Sequence, residues 1–257
     1  MRDKSTVLRR QYPPRKPTRR ESSEDGVVRV GLLQGFELFV RGRPVSLPLS
    51  SQRVLAFLAL HDRPLQRLYV AGTLWLNSTD ARAGGSLRTA LWRLRTPSLR
   101  LVEASATHLE LAEHVEVDVR ETRAAAEQAI RHEIAPDGEA AASLYRAGEL
   151  LPDWCEDWIL IERERFRQLQ LHALETLCAD LTAAGAYTEA TRAGLAAVEG
   201  EPLRESAHRA LIGAYLAEGN PSEALRQFRL FRGLLRDKLG LEPSPLMVEL
   251  MGSLPLR

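Results

Sequence analysis

The sequence predicts a mainly α-helical protein with a small β component. An N-terminal winged helix-turn-helix is followed by an all-α domain of repeats similar to tetratricopeptide repeats. Two observations predict this fold class. Stretches with strand-like alternation precede three segments of helical periodicity and a hairpin. Further along the chain, the pattern AAGAYTEA at residues 183–190 recurs as AEGNPSEA at residues 217–224, an offset of 34 residues that matches the tetratricopeptide period.

The two halves of the chain carry opposite charge, although the net charge of the 257 residues is only +1. Residues 1–100 contain 19 Lys and Arg residues against 7 Asp and Glu, whereas residues 101–257 contain 16 against 27. Only Lys4, Lys16 and Lys238 are lysines, so arginine supplies nearly all of the positive charge. A basic half joined to an acidic half predicts that only the first half meets a polyanion such as a nucleic acid.

The composition also indicates where the protein works. No apolar run reaches the length of a membrane span, and the basic N-terminus lacks the apolar core of a signal peptide. The two cysteines, Cys155 and Cys178, do not make a disulfide framework, which fits a reducing compartment. We therefore expect a cytoplasmic, nucleoid-associated protein that makes no contact with a membrane.

Three segments are predicted along the chain. Residues 1–26 are rich in Arg, Pro, Ser and Glu and lack apolar periodicity, which predicts a disordered basic tail, either simply flexible or a phosphate-binding arm. Residues 27–115 are predicted to form the winged helix, and residues 119–252 the helical repeats. From the charge difference, we expect residues 27–115 alone to retain salt-sensitive DNA binding.

The predicted winged helix consists of a small sheet, three helices and a hairpin, in that order. Strand-like stretches run from Val27 to Leu49, and a first helix is expected to begin with Ser50 or Ser51 as its N-cap. A second helix follows Pro64, and a third begins near Asp80. The segments LRLVEA and HLELA then alternate as the two strands of a hairpin. In proteins with this order of elements, the third helix enters the major groove of DNA.

The predicted third helix, ARAGGSLRTALWRLR at residues 81–95, has two different faces. Leu87, Leu91 and Leu94 recur at the spacing that lines one side of a 3.6-residue helix. The other side combines hydroxyl, tryptophan and arginine side chains, and the segment contains no acidic residue. Arginine reads guanine edges, and Ser or Thr contacts phosphates or bases. The pattern therefore favours a face that lies in the major groove.

The repeat predicts pairs of antiparallel helices in the second half of the chain. Gly185 and Gly219 occupy equivalent positions and are expected to end helices. Ala190 and Ala224 follow at the same offset, and their small side chains allow the next helix to approach closely. A further, more degenerate copy lies near Gly138.

No arrangement of side chains indicates an enzyme, a cofactor or a metal site. The chain lacks a GxxxxGK[ST] phosphate loop, a CxxC pair and an HExxH motif. The segment WCEDWILIERERF at residues 154–166 combines a thiol, carboxylates and tryptophans, but a structural interpretation explains it better. Glu156 and Asp157 suit the first turn of a helix. Trp154 and Trp158 are four residues apart and are expected to pack together.

The two halves each resemble a known bacterial module. The segments QRVLAFLALH, LYVAGTLW and ARAGGSLRTALWRLR, with the hairpin, resemble the OmpR-type winged helix of the actinomycete antibiotic regulatory proteins, the SARP family. The segment ALRQFRLFRGLLRDKLGLEPSPLMVEL at residues 224–250 is similar to that family's bacterial transcriptional activation domain. The resemblance extends from Val28 to Leu250, and the combination of both modules is more specific than either alone.

The resemblance implies a sequence-specific transcriptional activator of a secondary-metabolite (antibiotic) gene cluster. In that family the first domain binds promoter direct repeats, and the second supports self-association and engages RNA polymerase. The implied partners are therefore double-stranded DNA and RNA polymerase holoenzyme, and a homodimer on DNA is allowed. Arg93 lies where OmpR-type domains place a base-reading arginine. The predicted DNA-contacting residues are Arg53, Ser86, Arg88, Thr89, Trp92, Arg93, Arg95 and Thr107.

Two features depart from the family pattern. Gly84 and Gly85 are unusual at the start of such a helix. The wing tip reads SATH, where relatives more often carry a glycine and an aromatic residue, so the sequence departs from the family at the place where Thr107 or His108 would contact the minor groove. Because neither a receiver domain nor a nucleotide-binding domain accompanies the two modules, we expect a short-form regulator.

A second interpretation of the sequence stays open. The chain would then be a helical-repeat scaffold whose winged helix binds a protein partner instead of DNA. A mobility-shift assay with promoter fragments separates the two functions, because the scaffold is expected to shift no DNA at moderate salt.

Overall fold

The computed structural model describes residues 28–96, 99–135 and 138–252. The disordered tail predicted for residues 1–26 lies outside the described residues. The strands are β1 (Val28–Gly31), β2 (Glu37–Val40), β3 (Arg43–Pro44), β4 (Leu65–Gln66), β5 (Arg95–Thr96), β6 (Leu99–Arg100), β7 (Val102–Ala104), β8 (His108–Leu111) and β9 (Val115–Val117). The helices are α1 (Leu49–Ala59), α2 (Arg67–Leu74), α3 (Asp80–Arg93), α4 (Asp118–Ile130), α5 (Glu139–Arg146), α6 (Asp157–Ala183), α7 (Tyr187–Gly200), α8 (Glu205–Glu218), α9 (Pro221–Leu239) and α10 (Pro245–Gly252).

A four-stranded sheet, in the order β3-β2-β1-β9, supports the three helices of the winged helix. Strands β1 and β2 are antiparallel, while β9 joins β1 in parallel, with Val28 beside Val115 and Val30 beside Val117. Arg41 and Gly42 both have positive φ, 51° and 70°, as expected of a two-residue hairpin turn with the twist of its strands. The chain therefore returns to its first strand only after the wing.

Helix α1 begins two or three residues earlier than the sequence predicts, and its first residues are capped differently. Neither Ser50 nor Ser51 is the N-cap, because Pro48 takes that position and its carbonyl accepts the N–H groups of Ser51 and Gln52. The Ser51 side chain is fully buried, and its hydroxyl donates to the carbonyl of Ala90, 3.1 Å away. The hydroxyl therefore joins α1 to α3 instead of capping its own helix.

The predicted hairpin is present as β7 and β8, with Val102 opposite Leu111 and Ala104 opposite Leu109. Strand β4 pairs with β8 on the other side and completes a three-stranded sheet. The first residues of the predicted strand LRLVEA do not belong to this hairpin. They form a separate strand, β6, which pairs with β5 at the end of α3. The wing is thus one short sheet next to a separate two-stranded pair.

The second half of the chain is a stack of helix pairs, which confirms the predicted all-α repeat fold. Gly185 follows α6 and Gly219 is the C-cap of α8, with φ of 75° and 83°. This left-handed conformation is available to glycine at little cost. Ala190 and Ala224 are both fully buried. The glycines and alanines of the 34-residue repeat therefore have the positions that the sequence predicts.

One hydrophobic core crosses the predicted boundary between the two domains. The cluster that contains the winged-helix core also contains Leu150, Leu151, Ile159 and Phe166. Phe57 meets the ring of Trp158 edge-on at 5.1 Å. The two halves are therefore joined by buried apolar surface, because the winged-helix core extends past the boundary at residues 115–119 to the start of α6.

Aromatic packing at the start of α6 continues this shared core. Trp154 and Trp158 pack edge to face with ring centroids 6.2 Å apart, as predicted. Trp154 also stacks on Phe36, which lies between β1 and β2. Glu156 is the N-cap of α6 and Asp157 its first residue, as the sequence predicts for side chains that favour the positive end of a helix.

Polar side chains from the second half complete the backbone of the first. The carboxylate of Asp118 accepts the N–H groups of Leu32, Leu33 and Val119 at 2.7–3.1 Å. Burial raises the pKa of Asp118, while these three hydrogen bonds act to lower it. Arg120 donates to the carbonyls of Leu58, Ala59 and His61 at and just after the end of α1, where helix carbonyls lack the partners of a continuing helix. Both contacts cross the predicted domain boundary.

His208 is a buried polar group in the helical stack, and its tautomer follows from its partners. Its ring stacks on Phe231 with centroids 4.3 Å apart. Nε2 lies 3.0 Å from the carbonyl of Pro202, to which only a protonated nitrogen donates. Nδ1 lies 2.9 Å from the amide nitrogen of Gln227, which it accepts from. The imidazole is therefore neutral, and burial lowers its pKa despite the Pro202 contact and nearby Glu205.

The stability of the protein is expected to fall as the pH decreases below about 6.5, the ordinary pKa of histidine. Between that value and the lower pKa of folded His208, the unfolded chain binds the proton more readily, so protonation favours unfolding. Above this range the contribution is fully present. Melting temperatures from pH 8 to pH 5 measure the effect, and His208→Gln is expected to make the profile shallower. A parallel profile for the variant would contradict the assignment.

Candidate nucleic-acid interface

Helix α3 begins at Asp80 and presents the two faces that the sequence predicts. Leu87 and Leu94 are buried, with 2% and 4% of their surface exposed, and Leu91 packs partly buried against the same core. The opposite face holds Arg88, Thr89, Trp92 and Arg93, all exposed, and the half-buried Ser86. The apolar stripe is therefore confirmed, and the polar face is open to a ligand.

The helix ends earlier than predicted, which changes the position of Arg95. Leu94 is the C-cap of α3, and Arg95 begins β5. Helical periodicity therefore does not give the direction of the Arg95 side chain. Its neighbour across the strand pair is Arg100, and both side chains are exposed.

Arg53 is not available to DNA, which corrects its inclusion among the predicted contact residues. Its side chain is only 21% exposed. A guanidinium nitrogen donates to the carbonyl of Leu74 at 2.6 Å, and another lies 2.8 Å from the carboxylate of Glu156. The guanidinium also lies 5.9 Å from the ring centroid of Trp75. Arg53 therefore joins α1 to α2 and to the start of α6, a partner 103 positions away that no local pattern reveals.

The wing tip is held by hydrogen bonds to the start of α2. The backbone N–H of Arg67 donates to the carbonyl of Thr107 at 2.8 Å, and its guanidinium donates to the carbonyl of Ser105 at 3.2 Å. The hydroxyl of Thr107 lies 2.9 Å from Nδ1 of His108, and both residues are exposed. Thr107 therefore lies on a fixed, solvent-facing turn, and its contact with DNA stays a prediction.

The arginines of the winged helix are mostly without carboxylate partners. Within the described ranges, only Arg29 and Arg53 of this half form ion pairs. Those without one are Arg41, Arg43, Arg63, Arg67, Arg82, Arg88, Arg93, Arg95 and Arg100. In the helical half nearly every described arginine is paired, Arg192 and Arg229 being the exceptions. The unpaired arginines are thus concentrated in the winged-helix half of the described residues.

Arg95 and Arg100 form a like-charged pair directly across two antiparallel strands. Like charges in this position repel and destabilise the pairing. An anion between the two guanidinium groups would remove the repulsion. Arg100 was not among the residues predicted from the sequence, and its pairing with Arg95 is the signal that identifies it, since the hairpin alone does not show which strands pair.

An open groove lies beside the end of α3. It is lined by the segment that precedes α1 and by the end of the polar face, namely Ser46, Leu47, Pro48, Trp92, Arg93 and Arg95. The segment 46–48 was not predicted to belong to the site. Residues 46–48 line the groove because the packing of the three helices places the start of α1 against the end of α3.

Metal-binding groups, cysteines and apolar helices are the other features of the described residues that bear on function. No group of three or more His, Cys, Asp or Glu side chains in the described ranges is placed to hold a metal ion. Cys155 is exposed and Cys178 is buried, and burial raises the pKa of the Cys178 thiol to about 11, so that it stays protonated at neutral pH. Among the helices in these ranges, none has the length and apolar character needed to cross a membrane.

The fold defines a class of protein in which a winged helix is packed on a tetratricopeptide-like stack. Residues 109–254 match the family model of the bacterial transcriptional activator domain. The chain belongs to this family, and the predicted membership of the SARP transcriptional activators is confirmed. It is therefore a SARP-type transcriptional regulator.

Two curated relatives support the same conclusion. The chain is 28% identical over 255 residues to the regulatory protein AfsR of Streptomyces coelicolor, a match that covers 92% of this chain and 26% of that protein. It is also 28% identical over 239 residues to AfsR of Streptomyces griseus, covering 84% and 23%. The chain thus spans about a quarter of the length of these relatives.

A solved structure shares the fold. The structure of Mycobacterium tuberculosis EmbR in complex with a low affinity phosphopeptide superimposes with a TM-score of 0.67 and 21% sequence identity. The match covers 90% of this chain and 66% of that one. At this identity the likeness concerns the fold alone.

Proposed function

We propose that this regulator binds duplex DNA in a sequence-specific manner, with the polar face of α3 in the major groove. The observation that carries the proposal is the set of exposed arginines without carboxylate partners on and around α3, in a molecule whose helical half pairs nearly all of its described arginines. Arginines that lack internal partners are available to neutralise phosphates and to read base edges.

The roles of individual residues follow from their positions. Arg93 extends from the last turn of α3, opposite the buried leucines, and is proposed to read a base edge. Arg88 and Ser86 flank the same face, and Thr89 lies at its centre. The Thr89 hydroxyl donates to the carbonyl of Gly85 at 3.1 Å, so its oxygen lone pairs remain for an amino group of a base or a water.

The Arg95–Arg100 pair is proposed to bind backbone phosphate. Arg95 lines the groove at the end of α3 and Arg100 lies opposite it on the neighbouring strand, so a phosphate bound between them would relieve their mutual repulsion. Thr107 at the wing tip is proposed to approach the neighbouring backbone or minor groove, where its fixed turn places it on the surface.

The helical half is proposed to act on the transcription machinery. It carries the acidic charge of the chain and pairs its arginines internally, so it has little to offer DNA. We propose that it contacts RNA polymerase holoenzyme and a second copy of the chain on promoter direct repeats, and that the protein works in the cytoplasm on a secondary-metabolite (antibiotic) gene cluster. A supershift of the operator complex by holoenzyme is the direct test of the first contact.

Selection of duplexes from a random library tests DNA binding and supplies the operator. With that operator, Arg93→Ala is expected to lower affinity about 5- to 150-fold, the equivalent of about 1–3 kcal/mol for one base contact, and to relax preference at one position. Arg95→Ala is expected to weaken operator and scrambled duplex alike and to reduce the salt slope by about one unit.

The control is Arg226→Ala, an exposed arginine of α9 that pairs with Glu223 in the helical half. This variant is expected to bind operator like the parent protein. An Arg93→Ala protein that melts normally and keeps its full preference for the operator over scrambled duplex would contradict the base-reading role. If no duplex is selected and a protein is bound instead, the scaffold function replaces this proposal.

A further inference from the structure

Trp92 is the feature of α3 that charge does not explain. Its side chain is 72% exposed, and it is the only large apolar residue of this helix that is exposed to this degree among the described residues. Within that part of the chain, no arginine stacks on its ring and no other ring contacts it. A tryptophan buries about 150–250 Å² when it is covered. Most of the indole is therefore available to a ligand.

The surroundings of Trp92 limit what that ligand is. Thr89 precedes it by almost one helical turn, and Arg93 lies on the other side of Thr89 when the helix is viewed along its axis. Arg93 and Arg95 line the same groove as Trp92. An apolar ring between unpaired arginines is suited to a surface that is anionic overall and carries a local apolar group.

The major groove of DNA has one such group. The edges of the bases present hydrogen-bond donors and acceptors there, and the only apolar group is the 5-methyl of thymine. We propose that Trp92 contacts the 5-methyl group of a thymine within one or two base pairs of the base read by Arg93. This inference rests on the proposed DNA-binding function and adds the identity of one base to it.

Deoxyuridine tests the proposal because it differs from thymidine only by the missing methyl group. Each thymine of the selected operator is replaced in turn, and the affinity of the full chain is measured for every duplex. At one position the parent protein is expected to lose affinity about fourfold, as expected when one methyl group is no longer buried. Trp92→Ala is expected to bind the operator more weakly and to lose nothing further on that replacement.

The outcomes distinguish the thymine contact from DNA binding itself. An equal loss for the parent and for Trp92→Ala, or no deoxyuridine effect at any position, overturns the thymine contact while leaving DNA binding intact. Failure of the parent protein to bind any selected duplex overturns the proposed function itself. Leu76→Ala, which removes another exposed apolar side chain just before α3, is the matched control, and it is expected to keep the full deoxyuridine effect. Equal melting temperatures for the variants and the parent show that the folds are comparable.

Discussion

Ala224→Arg is expected to unfold the end of the helical stack. Ala224 is fully buried where α9 packs against α8, in a cluster with Ile212 and Phe231. Overpacking alone costs about 1–3 kcal/mol, and burial of an unpaired guanidinium adds several more. The sum is comparable to the whole stability of a domain of this size, so the variant is expected to lose its cooperative melt.

Ala217→Arg is the matched control. Ala217 lies in the neighbouring helix α8, but its side chain is exposed, so the same substitution adds an arginine to the surface. Its effect is expected to stay within about 0.5 kcal/mol of zero. Circular dichroism melts of the three proteins make the comparison. An Ala224→Arg protein that melts at the parent temperature would show that the helices of the repeat pack differently.

A chain that ends after Leu111 is expected not to fold. The truncation removes β9, which pairs with β1, and it removes the Asp118 carboxylate that accepts two N–H groups after β1. It also removes Trp158 from the ring of Phe57. The sequence-based expectation that residues 27–115 alone bind DNA therefore needs revision, because such a fragment keeps only the first residue of β9 and none of α6.

Amide dispersion in NMR spectra of the fragment checks this prediction, and Trp158→Ala in the full chain isolates one contact. Loss of a buried tryptophan side chain costs about 3–5 kcal/mol, and the partial exposure of Trp158 places it toward the lower figure. Leu160→Ala, an exposed neighbour on α6, is the control and is expected to change little. A well-dispersed spectrum and a cooperative melt for the truncated chain would show that the winged helix does not depend on the second half.

The features that the sequence predicts correctly are those set by neighbouring residues. Helix α3 begins near Asp80 as helical periodicity predicts, although Thr79 and not Asp80 is its N-cap, and the buried side follows from the spacing of Leu87 and Leu94. Gly185 and Gly219 end their helices because few other residues adopt a left-handed conformation without strain. Each of these depends on one segment of a few turns.

The features that the sequence does not reveal join distant segments. The three-residue strand β9 is too short to carry a pattern, and its partner β1 lies almost ninety positions earlier. In the sequence, Arg53 has the same helical setting as a DNA-contacting arginine. Only its contacts in the folded chain, with Glu156 and with the carbonyl of Leu74, show that its side chain is engaged inside the protein. Arg95 lies outside the helix because β5 pairs with β6. Helical periodicity does not reveal such a short strand pair, so it predicts that the helix continues to Arg95.

Helix α6 fixes the orientation of the helical stack relative to the winged helix, because it belongs to the cores of both. It has 27 residues, about 40 Å, with Ile159 and Phe166 in the winged-helix core and Leu174 and Leu181 in the core of the stack. This one helix therefore sets the direction in which the stack projects from the winged helix, and so from the duplex in the proposed complex. On the proposed direct repeats, two copies point the same way only when the repeats are separated by whole turns of about 10.5 base pairs. A half-turn difference places the two stacks on opposite sides of the DNA, so the rotational phase of the operator becomes part of what the protein recognises.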